Sequence, residues 1–373
     1  MIPEAVERRA RWVLETIGAA GVHWEYDARA WEQVDRGERP RDELAAAFFD
    51  LARLEERDAP RDEHGRFCAA SSALDPLDPS LERLRRTLGV APPSQFAVAL
   101  THDVDSVRRW TARGVRGALA RAKSGDFRDV PALVRLPLHK ARRTDPNWQW
   151  ERIVAGERER GAISTFFVLA ANRHRLDAQA PELYDRLRPR LLDALRGLGA
   201  EVAVHGSYLA ADDASLLVEE ASALGSPVGQ RYHFLRVDPH RNLAPLAKLG
   251  FRYDSSFGYA ETLGFRAGVA RPFRPWEVAR DRPLDLVEIP LAVMDATLDR
   301  YLRLTAREAE GRVLALLDRA AEDGAAFALL WHPDRYEGAW GRLYWRILDA
   351  VRARGGTLCS CAQLVASHST WSK

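Results

Sequence analysis

Four strand-like stretches of this chain end in or carry residues that can hold a metal ion or move a proton. The first is FAVALTHDVD, Phe96 to Asp105, in which five apolar residues give way to Thr101, His102, Asp103, Val104 and Asp105. EVAVHGSY delivers His205, QRYHFLR carries Arg231, His233 and Arg236, and FALLWHPDRY delivers His332. A carboxylate and two imidazoles are a sufficient ligand set for a Zn²⁺-type ion that keeps an open coordination position. A second carboxylate, a further histidine and a nearby arginine then supply base, acid and charge stabilisation. Each segment also has a plainer reading. The aspartates could form a polar turn and cap the next helix, and a histidine at a strand end is often a hydrogen-bonded structural residue. The joint pattern outweighs these readings only if one scaffold brings the strand ends together.

Phe96 to Leu100 have the length and unbroken apolarity of a strand buried on both faces. In parallel sheets covered by helices, ligands gather at the C-terminal strand ends. From Phe96 onward, strand-like and helix-like segments alternate. Val107 to Ala122 reads as a basic helix loosened by Gly114 and Gly117, followed by a Pro- and Arg-rich connection and a helix around Trp150 to Arg160. Further strands are expected at Ile163–Ala170, Glu201–His205, Gln230–Val237, Leu286–Ile289, Ala326–Trp331 and Thr357–Cys361. Helices are expected at Pro189–Leu198, Asp213–Leu224, Thr305–Glu322 and Trp340–Arg354. This alternation predicts an α/β fold, best satisfied by a parallel barrel.

Residues 1–92 read differently. They hold an amphipathic helix at Glu4–Ile17, an aromatic piece around Trp24, Tyr26 and Trp31, and a helix at Asp42–Leu54. The turn-forming segment RDEHGRF follows, with Asp62, Glu63, His64 and Arg66 around Gly65. It is either a surface turn or a loop lent to the site. Pro92-Pro93-Ser94 marks the boundary, giving a small α-rich accessory domain at 1–92 and a catalytic domain at 93–373.

The bulk numbers exclude several classes. The chain has 373 residues, 46% hydrophobic and 29% charged, with a net charge of +2, so nothing in its overall charge suggests nucleic acid. Its three cysteines, Cys68, Cys359 and Cys361, are too few for a disulfide framework, and the last two are expected in the core. No window approaches the roughly 18 apolar residues that span a bilayer, and the N-terminus lacks a secretory apolar core. Stable membrane insertion is not expected, and a cytoplasmic location is.

These motifs together resemble the polysaccharide deacetylase superfamily, carbohydrate esterase family 4, over roughly Phe96 to Leu364. THDVD is similar to the family's first motif, HGSY to its second, Arg231–Arg236 with GFRYDSSFGY to its third, and FALLWHP to its last. The pairing of these motifs with GFRAG and a preceding segment like DEHGRF resembles one branch of the superfamily. The resemblance implies a distorted parallel (β/α) barrel of deacetylase type and a divalent metal, zinc by preference. It also implies removal of an N-acetyl group from an amino sugar or glycan precursor. Asp103 would be the base, His332 the acid, Asp105 and His205 metal ligands, and Arg231 or Arg236 the cation that keeps Asp103 ionised.

The chain departs from the pattern where a second histidine would follow His205 by one helical turn, because that position is Leu209. His233 is the expected replacement ligand, with His102 and His64 as rivals. Two other readings stand beside deacetylation: a C–N hydrolase acting on a non-sugar amide, and an inactive barrel serving as a glycan-binding scaffold. Trp276, Tyr259, Phe265 and Trp331 are either sugar-stacking or core residues. Arg266, Arg271 and Arg274 are either anion-binding or solvated.

Overall fold

β1, Ala97–Val104, is buried along its whole length, as its run of small and branched apolar residues requires. The computed structural model describes residues 2–109, 111–125, 130–142, 145, 147–177 and 181–371. Around β1 lie β2 (Thr165–Leu169), β3 (Glu201–Gly206), β4 (Gly229–Tyr232) and β5 (Tyr253–Asp254). A short antiparallel hairpin, β6 (Trp276–Glu277) with β7 (Arg282–Pro283), stands apart. β8 (Val287–Glu288), β9 (Leu291–Met294), β10 (Ala326–Leu330) and β11 (Thr357–Cys359) complete the strands.

Every pairing in the main sheet is parallel, in the order β8-β5-β4-β3-β2-β1-β10-β9, with β11 also on β1. The two end strands are consecutive in the chain, with only Ile289 and Pro290 between them. The Ile289 amide donates to the Asp254 carbonyl and the Ala328 amide donates to that of Pro290, so this short link holds on to both ends of the sheet. The result is a curled parallel half-barrel.

Strand alternation sorts the core into two. Val98, Leu100, Phe166, Val168 and Val204 face the helices. Ala97, Ala99, Ala203, Ala326 and Ala328 face inward, together with larger side chains such as Phe167, Tyr253 and Leu330. Cys359 and Cys361 join this inner cluster and, like Cys68, are unpaired.

The N-terminal helices are α1 (Glu4–Thr16), α2 (Ala28–Asp35), α3 (Glu43–Leu51) and α4 (Ser80–Thr87). α1 buries Val6, Ala10, Trp12 and Val13, and Trp12 packs on Trp276 of the hairpin with ring centroids 4.8 Å apart. The helices after β1 are α5 (Ala112–Lys123), α6 (Val130–Arg142), α7 (Trp150–Arg158) and α8 (Pro181–Gly197). They are followed by α9 (Leu216–Ala223), α10 (Leu243–Lys248), α11 (Ala306–Glu322), α12 (Gly338–Ala353) and α13 (Cys361–Trp371).

Three local expectations change. The Pro- and Arg-rich connection contains a helix, α6, despite Pro137 in its interior. α8 starts at Pro181 rather than Pro189, since either proline suits a first turn and the helix continues through the second. The strand expected to run from Gln230 to Val237 stops at Tyr232. Phe234 and Leu235 adopt φ of 61° and 55°, a left-handed conformation costly for bulky side chains. That turn directs His233 to the site.

Candidate metal and catalytic centre

Parallel register builds the site. Asp103 pairs with Phe167, Phe167 with Ala203, and His205 with Arg231. Two residues along each strand from the Asp103 level lie Asp105 and His205, on the same inward face. Thr101 pairs with Leu330, so His332, two residues on, stands at the level of Asp103. The C-terminal rim thereby collects Asp103, Asp105, His205, His233 and His332 around a cavity of about 230 Å³.

Asp105, His205 and His233 each offer one ligand atom, all within 4.8 Å of one another. His205 Nε2 lies 3.2 Å from Asp105 Oδ1, and His233 Nε2 lies 3.6 Å from the same oxygen. His205 donates its Nδ1 proton to the Arg231 carbonyl at 3.0 Å, which leaves the Nε2 lone pair facing the cavity. Asp105 is 36% exposed as a side chain, but its Oδ1 is buried, and neither that oxygen nor His205 Nε2 has a hydrogen-bond partner. Two orphaned buried acceptors beside a second imidazole, His233, fit a cation, because leaving such groups unpaired costs free energy. Burial works to raise the Asp105 carboxyl, but His233, His205 and His332 outweigh it and hold the group below the usual carboxylate range. His205 is pushed the other way: burial lowers it, yet Asp103 and Asp105 leave it raised.

Asp103 is buried and accepts from the Arg231 guanidinium at 2.8 Å. Arg231 is itself fixed by Thr101 Oγ1, the Ser255 carbonyl and Ser255 Oγ, and it lies over the Phe167 ring. On the far side, His332 Nε2 is 3.6 Å from Asp105 Oδ2, and its Nδ1 donates to Asp295 Oδ1 at 2.6 Å. Burial disfavours the imidazolium, but Asp295 and, more weakly, Asp105 and Asp103 raise His332 to about 9. Near neutrality it therefore carries a proton to give.

The structure separates the remaining candidates. His102 points to the helices, bridged between the Trp331 carbonyl and Glu157, because it alternates with Asp103 along β1. His64 donates to or accepts from Tyr208 Oη at 3.1 Å and is not among the clustered ligands. Arg236 lies away from Asp103. It donates to the His64 carbonyl and pairs with Asp212, so it anchors the Asp62–Arg66 loop instead.

That loop brings Arg66 to the cavity mouth, braced by Asp62 at 2.7 Å and by Tyr301 Oη. The arginines read as either anion-binding or solvated are paired within the chain: Arg266 with Glu56 and Arg271 with Glu82, both buried, and Arg274 with Asp285. Trp276, Tyr259, Phe265 and Trp331 are all buried core residues. Asp295 and Asp177 were missed from sequence. Asp295 follows the apolar strand LAVM, the same run-then-carboxylate signal that marks Asp103. Asp177, 3.5 Å from His233 Nδ1, sits in a loop with no such signal.

No protein-family model matches the chain, and no curated protein matches its sequence. Among solved structures, Puue allantoinase superposes with a TM-score of 0.50 at 13% identity, covering 84% of this chain and 98% of that one. The chain has the allantoinase fold. A Mycobacterium smegmatis protein assigned as a polysaccharide deacetylase matches with a TM-score of 0.49 at 20% identity, over 75% of this chain and 94% of its own. A CE4-family pseudoenzyme from Bacillus anthracis matches at 0.33 and 13%, over 74% and 68%. At these identities the likeness is one of fold.

Proposed function

We propose that the protein is a metal-dependent hydrolase that removes an N-acetyl group from an amino sugar or glycan precursor, releasing acetate and a free amine. The observation that carries this reading is the meeting of Asp105, His205 and His233 between an Arg231-held Asp103 and an Asp295-held His332. A carboxylate with two imidazoles suits zinc. When bound, a divalent ion supplies Lewis-acid polarisation of the acyl oxygen and acidifies water. Asp103, hydrogen-bonded to Arg231, takes the proton of the attacking water. His332 then delivers its proton to the departing nitrogen. Residues 1–92 act as an accessory that lends Arg66 to the mouth. The unpaired cysteines fit a cytoplasmic setting.

The completeness of the acid, base and ligand set supports turnover over an inactive scaffold. A second reading has one specific support: the allantoinase fold makes a small non-sugar amide an alternative substrate. The test is acetate release from N-acetylated amino sugars by metal-loaded protein, run beside ammonia or ring-opening assays on cyclic amides. Activity on the first set alone supports deacetylation, activity on the second alone transfers the site to the other reading, and silence on both removes the hydrolase.

A further inference from the structure

Directly after Asp105 the chain leaves the barrel for α5 and α6, which pack on each other. Between Ser106 and Asp145 there are nine arginines and two lysines against three aspartates, a formal charge of +8 in a protein whose total is +2. The rest of the molecule is therefore net acidic, and the net positive charge of the chain lies in this one segment.

The same helices expose aliphatic side chains. Leu119 on α5 is 48% exposed, Leu138 on α6 is 47%, and Val134 at 74% is the most exposed large apolar residue among the described ones. Val134 and Leu138 are four apart on a helix and share a face. Apolar side chains set among arginines and lysines suit the boundary between lipid headgroups and acyl chains, where the aliphatics are buried shallowly and the cations meet phosphate. Bare aliphatics give a nucleic acid nothing to stack on or pair with. No described helix is long and apolar enough to cross a membrane, so contact of this kind is peripheral.

We propose that α5 and α6 dock the protein on an anionic lipid surface, through Leu119, Val134 and Leu138 and the basic residues around them. The inference is independent of the hydrolase reading, since its readout is binding. Full-length protein is sedimented with vesicles of phosphatidylglycerol and phosphatidylcholine, and with vesicles of phosphatidylcholine alone. Binding at least about tenfold tighter to the anionic vesicles is expected, weakening as salt rises. Combining Leu119→Glu, Val134→Glu and Leu138→Glu should lower that binding about tenfold or more, with the melting temperature unchanged. If the triple variant melts early, Lys123→Glu with Arg135→Glu decides in its place, by the same tenfold criterion. Equal binding to both vesicle types, or variants that bind like the parent, overturns the proposal. So does binding to single-stranded RNA without binding to vesicles. A dimer that the triple variant splits in the absence of vesicle binding overturns it too, by assigning the face to a second copy of the chain.

Discussion

Two clusters of buried charge in this molecule are built on opposite plans. Where the N-terminal helices meet the barrel, Glu56 accepts from Arg53 and Arg266 on one oxygen and from Arg266 and Arg61 on the other, at 2.6 to 3.3 Å. Both oxygens are saturated and the carboxyl is fully buried. At the barrel rim, Asp105 and His205 approach one another with orphaned atoms and an open cavity beside them. Both sites hold ionised groups in a poorly hydrating interior. The first closes its hydrogen bonds within the protein and ties two regions together. The second leaves them open, which stability alone does not favour. An arginine-rich segment such as GFRAGVARPFR is therefore not by itself an anion site, because its anions can be the chain's own glutamates.

The largest effects are expected at the rim. Asp103→Asn should lower kcat/KM by about 10³-fold while bound metal stays near that of the parent. A variant of near-parental activity removes Asp103 as the base. His233→Ala and Asp105→Asn should cut metal affinity by more than about 100-fold by isothermal titration, with a smaller loss of metal-free stability than Glu56→Gln. A large loss of metal-free stability would place these residues with Glu56 as structural.

The closed cluster should answer in reverse. Glu56→Gln should destabilise the fold by roughly 3 kcal/mol in urea titration without changing metal stoichiometry. Its pH dependence sharpens the contrast. Burial tends to raise the Glu56 carboxyl, but Arg266 and Arg53 bring it down to about 2 from an ordinary 4.5. A depressed native pKa contributes stability above the unfolded value and loses it as pH falls through the native one. The gap between parent and Glu56→Gln should therefore be full above pH 4.5 and close progressively toward pH 2. A gap that stays constant over that range would show that the lost contribution is not ionic. The smallest effect is expected at the mouth, where Arg66→Ala should raise KM by about 3- to 10-fold, worth about 1 kcal/mol, with little change in kcat.

Much of the fold was legible because parallel strands buried on both faces write themselves as apolar runs. The same runs announced most of the site, since chemistry at a strand end appears as a carboxylate or histidine where apolarity stops. Asp295 obeys that rule in LAVMD. Asp177 was not legible, because a loop residue gains its role only from what the fold sets beside it. α6 was hidden by prolines, whose cost to a helix is local and can be outweighed by the residues around them.

By itself, the sequence determined which residue types stand at which strand ends, and through two-residue alternation it already set Asp103 and Asp105 on one face and His102 on the other. Only the tertiary structure decided which histidine joins Asp105 and His205, because His233 reaches them through a left-handed turn that no periodicity encodes. It alone decided too that Arg231 serves Asp103 while Arg236 holds a loop, and that Arg266 and Arg271 are bound to glutamates. Charge at a position is fixed by the residue, whereas its partner is fixed by distances between segments far apart in the chain.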